Sequence, residues 1–119
     1  MSAVGEAWAA LNAALKAVDG VRVYEDLGTT FDPPALVVMP PELSWDGYLS
    51  APTEATFTVV LAVRADERAM QRLWDLAPAV AVAIDQVQDA VVKRAIPGTT
   101  PSGSGSPLPA YLFEVECAL

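Results

Sequence analysis

The pattern of apolar and polar positions predicts an amphipathic helix over residues 3–18 at the start of the chain. Alanine fills most of its remaining surface. Asp19 and Gly20 follow, and glycine readily adopts the left-handed conformation that closes a helix. Apolar residues at helical spacings of three and four define its buried face: Val4, Trp8, Leu11, Leu15 and Val18.

Three strands are predicted after this helix, over residues 21–24, 35–39 and 56–63. The first alternates apolar and polar residues, as a half-buried strand does. The second is a short apolar run with a proline pair on each side, and the segment after it carries the turn-forming pair Asp46-Gly47. One face of the third strand is wholly apolar: Phe57, Val59, Leu61 and Val63.

A second helix is predicted over residues 67–88, with Asp66 as its N-cap. Pro78 lies in its interior, where the proline ring clashes with the preceding turn, so we expect a kink or a restart there. The following apolar residues hold one phase: Met70, Leu73, Trp74, Ala77, Ala81, Ile84 and Val87.

Two short strands, residues 90–96 and 110–118, close the chain, and the segment 97–109 between them is rich in glycine, serine and proline. Such a composition predicts a flexible loop. The order α-β-β-β-α-β-β predicts one α/β (α+β) domain over residues 1–119, with a mainly antiparallel mixed sheet flanked by two helices.

Composition excludes several classes of function. The chain has no histidine, which removes the commonest general base and metal ligand. Its formal net charge of −8 argues against a basic surface for nucleic acid. Its longest apolar run, residues 76–84, is too short to cross a membrane. We therefore expect a soluble protein without enzymatic activity, cofactor or bound metal.

The remaining candidates for chemistry also favour structural interpretations. Cys117 alternates with apolar neighbours on the last strand, which predicts a buried, inert thiol. Glu114 and Glu116 share one strand face, but no third or fourth oxygen ligand accompanies them, so a solvated surface is predicted. Gly103 and Gly105 begin no helix that could bind a phosphate, which favours a linker.

Four groups of residues are candidates for functional surfaces. Residues 76–84 are apolar on all sides of the helix, so either the terminal loop or another subunit covers the second side; Val80, Val82 and Ile84 are the interface candidates. Arg68 and Arg72 lie four residues apart, on a solvated face or against the acidic flank of a neighbouring copy.

The middle of the chain supplies the other two groups. Residues 23–63 contain no lysine or arginine, and the acidic residues there include Glu42, Asp46 and Glu54. Trp45 and Tyr48, with the adjacent Leu49, place aromatic and apolar side chains at a turn. Aromatic residues are enriched in protein interfaces.

Several segments resemble the tail terminator proteins of long-tailed, siphovirus-type phages of actinobacteria. After the alanine-rich first helix, the similar segments are VRVYE at 21–25, DPPALVV at 32–38 and PPEL at 40–43. FTVVLAVRADER at 57–68 and YLFEV at 111–115 continue the likeness through most of the chain. These are patterns of strands and prolines, without a catalytic signature.

The resemblance implies a virion structural protein at the neck, made in the host cytoplasm, with helices flanking a small sheet. Such terminators form a hexameric ring that caps the tail tube, ends its polymerisation and serves head–tail joining. Implied partners are copies of itself, the major tail tube protein and a head-completion or stopper protein. Trp45, Tyr48 and Leu49 then suit an axial contact, while Glu42, Asp46 and Glu54 would line a lumen through which DNA passes unbound.

Two other functions share these features. The chain is also compatible with another neck or minor tail protein, such as a stopper or connector. It is equally compatible with an adaptor that binds one protein partner and forms no ring.

Overall fold

The computed structural model describes residues 2–26, 31–47, 50–101 and 107–119. These residues form two helices and six strands in the order α-β-β-β-β-α-β-β. The predicted α+β class is confirmed, with one strand more than the sequence predicted. The elements are α1 (Ala3–Leu15), β1 (Arg22–Tyr24), β2 (Ala35–Val38), β3 (Glu42–Ser44), β4 (Glu54–Ala62), α2 (Ala69–Asp85), β5 (Ala90–Pro101) and β6 (Pro107–Ala118).

All six strands belong to one sheet with the order β1-β2-β4-β6-β5, and β3 also pairs with β4. Only β1 and β2 are parallel, so the sheet is mixed and mainly antiparallel, as predicted. Both β2 and β3 pair antiparallel with β4, through Val38↔Val59 and Glu42↔Thr56. They therefore behave as one strand interrupted near Pro40 and Pro41, which have no N–H to donate to a ladder.

Both helices pack on the same face of the sheet, which we call the covered face. Strand residues alternate between two faces, so every second residue of β4 and β6 points toward the helices. The core forms between these residues and the apolar sides of α1 and α2. Its largest fully buried side chains include Phe57, Leu11, Leu15, Leu36, Leu61 and Ile84.

The helices differ from the prediction at their ends. The first ends at Leu15, before the turns that lead to Gly20, whose φ of 78° is left-handed as expected. The second begins at Ala69 and passes through Pro78 without a restart. Asp66 is not its N-cap residue; Arg68 holds that position, and Asp66 Oδ1 accepts a hydrogen bond from the Arg68 N–H at 2.9 Å.

The last two strands are longer than predicted, and they contradict part of the predicted loop at 97–109. Eleven residues of β5 pair with eleven of β6, out to Pro101↔Pro107, and the register shifts once between Val92 and Arg94. Only residues 102–106 of that segment lie outside the described part of the chain. The β5–β6 hairpin thus contributes to a molecule with principal extents of 50 × 27 × 22 Å.

Candidate functional site

The second face of the sheet, here the open face, carries a trough of about 720 Å³ that is lined by strand residues and Pro40 rather than by a helix. It begins on β3 and the first half of β4 and crosses β6 to β5. Its lining includes four carboxylates: Glu42, Glu54, Glu114 and Glu116. The remaining part of this face is apolar, where Ala62, Leu108 and Ala110 form a small second cluster with Val60 and Leu112.

Only one side of the trough has its acidic charge neutralised. On the β5 side, Arg94 Nε lies 2.7 Å from Glu114 Oε2, and Lys93 Nζ lies 3.4 Å from Glu116 Oε2. On the β3 side, Glu42 and Glu54 form no ion pair with any described residue. The trough, which we call the acidic trough, therefore keeps a net negative charge at its β3 side.

A cluster of arginines lies at the opposite end of β4, around the entry to α2. Arg22 and Arg64 both reach the carboxylate of Asp32, at 3.4 and 3.8 Å. Arg72 Nη1 lies 2.9 Å from Asp66 Oδ2. Arg68 has no ion pair among the described residues. We call Arg22, Arg64, Arg68 and Arg72 the arginine end.

Asp66 organises this end of the molecule. The backbone N–H of Arg68 is the main cause that holds the pKa of Asp66 below its ordinary value, and the hydrogen-bonded Arg72 guanidinium acts in the same direction. Arg68 and Arg72, which are four residues apart, do not both lie in α2, because the helix starts only at Ala69. Arg72 is instead held by an acid of its own chain.

The apolar side of α2 is only partly available as an interface. Val80 and Ile84 are fully buried in the core, so their prediction as contact residues is wrong for this conformation. Val82 is 63% exposed and lines an apolar groove of about 500 Å³ with Ala17 and Leu76. Because residues 76–84 are apolar on all sides of the helix, the sequence pattern could not show which side packs on the sheet.

The aromatic turn after β3 is partly described. Trp45 is 52% exposed, and its indole N–H donates to the Ser50 carbonyl at 3.3 Å. Asp46 is exposed and precedes Gly47, whose φ of 67° fits the predicted turn. Tyr48 and Leu49 lie outside the described residues.

Two further apolar surfaces were not predicted. Met70 and Trp74 share the phase of the α2 core residues but are 56% and 52% exposed. The buried residues in these turns are Ala69 and Leu73, so Met70 and Trp74 lie at the edge of the buried side of α2. On the other side, Trp8 donates to the Val38 carbonyl at 3.4 Å and lines a groove of about 400 Å³ with Val4 and the Pro40–Pro41 pair.

Metal binding and thiol chemistry depend on the acidic side chains and on Cys117. No group of three or more Cys, Asp or Glu residues in the described ranges could hold a metal ion. Cys117 is buried, and burial raises the pKa of its thiol, which disfavours the reactive thiolate. Neither described helix is long and apolar enough to span a membrane.

Comparison with known proteins adds no family, since the chain matches no protein-family model and no curated protein.

Proposed function

We propose that this chain is a structural virion subunit that forms a ring at the neck of a long-tailed phage, as a tail terminator. In this role it caps the tail tube, ends tube polymerisation and joins the tail to the head. The resemblance of its strand and proline segments to terminators supports the proposal, and so does its arrangement of helices beside a small sheet.

The observation that carries the proposal is the open face of the sheet. Both helices lie on the covered face, so the molecule presents unlike surfaces to its surroundings: helices on one side and strands on the other. A closed ring requires two different patches on each subunit, because each copy contacts its neighbours head to tail. A chain with exposed apolar residues such as Val82 and Trp45, together with an open strand face, meets this requirement.

The proposed partners are copies of this chain, the major tail tube protein and a head-completion or stopper protein. The ring is hexameric in this proposal, and the protein resides in the virion after assembly in the host cytoplasm. Neither a cofactor nor a membrane has a role in it, and DNA only passes through the lumen. Trp45, with Tyr48 and Leu49, is the proposed axial contact.

Depletion of the protein during phage growth tests this function directly. We expect tails of uncontrolled length in electron micrographs, because tube polymerisation would lack its stop. Complementation with the unaltered gene is the control and should restore one length. Uniform tails after depletion would eliminate the terminator function and leave a stopper or minor tail role for a neck protein.

An adaptor that binds one partner and forms no ring is the second candidate, and the groove beside Trp8 favours it. Its lining of Trp8, Val4 and the Pro40–Pro41 pair suits an apolar side chain from another protein. If this groove is the principal contact, Trp8→Ala should abolish function while Val82→Asp leaves it intact. The ring proposal does not require that difference, and visible rings on isolated tails would exclude the adaptor.

A further inference from the structure

Opposite charges are collected at the two ends of β4. Glu54 begins this strand beside Glu42 of β3, and both line the acidic trough. The arginine end lies in space beyond the last residue of the strand, Ala62. It contains four of the five arginines in the chain. Eight residue steps separate Glu54 from Ala62, which corresponds to about 26 Å at roughly 3.3 Å per residue. One molecule therefore cannot bring the two patches into contact.

Each patch retains charge that its own chain does not neutralise. Seven residues are Lys or Arg, all of them within the described ranges, and six form an ion pair inside the chain. The exception is Arg68, at the arginine end. In the acidic trough, Glu42 and Glu54 are likewise without an ion pair to a described residue. Four arginines against the neighbouring Asp32, Asp66 and Glu67 leave one positive charge at the arginine end, opposite in sign to the charge of the acidic trough.

Exposed apolar residues accompany the charges in both patches. Met70 follows Arg68 by two residues and is 56% exposed. Ile96 lines the acidic trough and is 46% exposed. Arg and Met are enriched in protein interfaces, where apolar contact supplies affinity and charge supplies orientation.

We propose that the arginine end of one copy docks in the acidic trough of a second copy, with Arg68 against Glu42 and Glu54. A second copy is the fitting occupant because this chain carries both complementary halves on separate surfaces. Contacts of this kind are heterologous, so each copy leaves one patch free for the next until a ring closes. Ring closure rests on the proposed function, whereas the pairwise contact depends only on this chain.

Zero-length cross-linking tests the contact. In an Arg68→Lys variant, which keeps the positive charge, a carbodiimide couples the new amine to any carboxylate that it touches. We expect covalent dimers and higher species, with a mass-spectrometric link between the peptide that contains position 68 and one that contains Glu42 or Glu54. The matched control is Arg68→Ala, which has no amine at this position and should lack that link. Absence of the link in Arg68→Lys dimers would overturn the proposal.

Charge exchange provides a second test that a folding defect cannot imitate. Arg68→Glu and the double variant Glu42→Arg/Glu54→Arg should each lose self-association at least tenfold in analytical ultracentrifugation. Mixing the two variants should restore it, because the reversed charges again form opposite pairs. Association within twofold of the unaltered protein in both variants would refute the contact.

The alternative role of Glu42 and Glu54 is to line a lumen through which DNA passes. That role predicts a different outcome for the double variant. If Glu42 and Glu54 line a DNA channel, the double variant assembles normally and only DNA passage slows, which also refutes the contact. Failure of this contact leaves the terminator function standing, since tail length after depletion is measured independently. Uniform tails after depletion would likewise leave the docking contact intact.

Discussion

The covered and open faces of the sheet are built from the same strands but have different surroundings. In β4, Phe57, Val59 and Leu61 are fully buried beneath the helices. Their neighbours Thr56 and Thr58 point to the opposite side and are partly exposed in the acidic trough. Because the side-chain period of a strand is two residues, one nine-residue segment contributes to both faces.

Most of the hydrophobic core lies on the covered face, and only a small buried cluster lies on the open face. Covered-face residues are constrained by volume and shape, since protein interiors are closely packed. Open-face residues that line the acidic trough are partly or fully exposed and are therefore available for contacts between proteins. Substitutions should accordingly have large effects on stability at the covered face and large effects on assembly at the open face.

The largest expected difference between the faces is at adjacent positions of β4. Phe57→Ala should lower the free energy of unfolding by about 3–5 kcal/mol, because it removes a fully buried aromatic side chain and leaves a cavity. Thr58→Ala, the matched control on the open face, should change it by about 0.5 kcal/mol or less. Urea unfolding measures both values. Equal losses would contradict the distinction between the faces.

Asn12 is an exception within the covered side, since it is the one buried polar residue of the described core. Its Nδ2 donates to the Trp8 carbonyl at 3.0 Å, but its Oδ1 has no partner among the described residues. An unsatisfied buried acceptor costs about 1–3 kcal/mol. Asn12→Leu should therefore raise the free energy of unfolding by about 1 kcal/mol.

Asn12→Ala is the control for that substitution, since it removes the same acceptor but leaves a cavity. It should be less stable than Asn12→Leu in the same urea titration. If Asn12→Leu were less stable than the unaltered protein, the amide of Asn12 would be required for stability at this position.

Trp74 marks the boundary where the covered face ends, and its substitution should have a smaller effect. Its indole N–H donates to the Tyr111 hydroxyl at 3.2 Å, while half of the residue is exposed. Trp74→Phe should cost about 1 kcal/mol, the usual net contribution of such a bond with some lost packing. Tyr111→Phe tests the same bond from its other side, and a double-mutant cycle should show coupling between the two. Strictly additive losses would argue that the bond contributes nothing.

The smallest expected effect is at exposed Asp66, and it depends on pH. Because the folded pKa of Asp66 is lowered from 3.8, the unfolded chain binds more protons as pH falls toward that value. The stabilisation is therefore complete only well above the unfolded pKa of 3.8, and it is lost as pH falls through the lower folded pKa. We expect the stability difference between the unaltered protein and Asp66→Asn to shrink over that interval, and NMR titration should show the low pKa. A difference that stays constant down to pH 2 would contradict this effect.

Much of the fold could be predicted because the hydrophobic pattern is strong wherever a strand or helix meets the core. The strand β3 was missed because it has only three residues and follows two prolines. The length of the hairpin was missed because Pro97, Pro101 and Gly98 favour a loop. They are tolerated in β5 because it is an edge strand with a free outer side, where the missing N–H of proline is not needed.

The candidate surfaces were harder to predict, for a physical reason. Sequence periodicity shows which residues share one side of a helix, but it does not show which side meets the sheet. Val80 and Ile84 were therefore assigned to an interface although they are core residues, whereas Val82 is exposed as that assignment requires. The acidic trough combines residues from four strands, and only the register of those strands brings Glu42, Glu54 and Glu116 together.

The long hairpin has a mechanical consequence. Its strand β6 runs from Pro107 into the middle of the sheet, between β4 and β5. Ladder hydrogen bonds lie across the strands, so tension along β6 would load many of them simultaneously in shear rather than open them one after another. A pull on the far end of the hairpin would be transmitted to the centre of the domain. The hairpin therefore links its outer end directly to the central strands of the sheet.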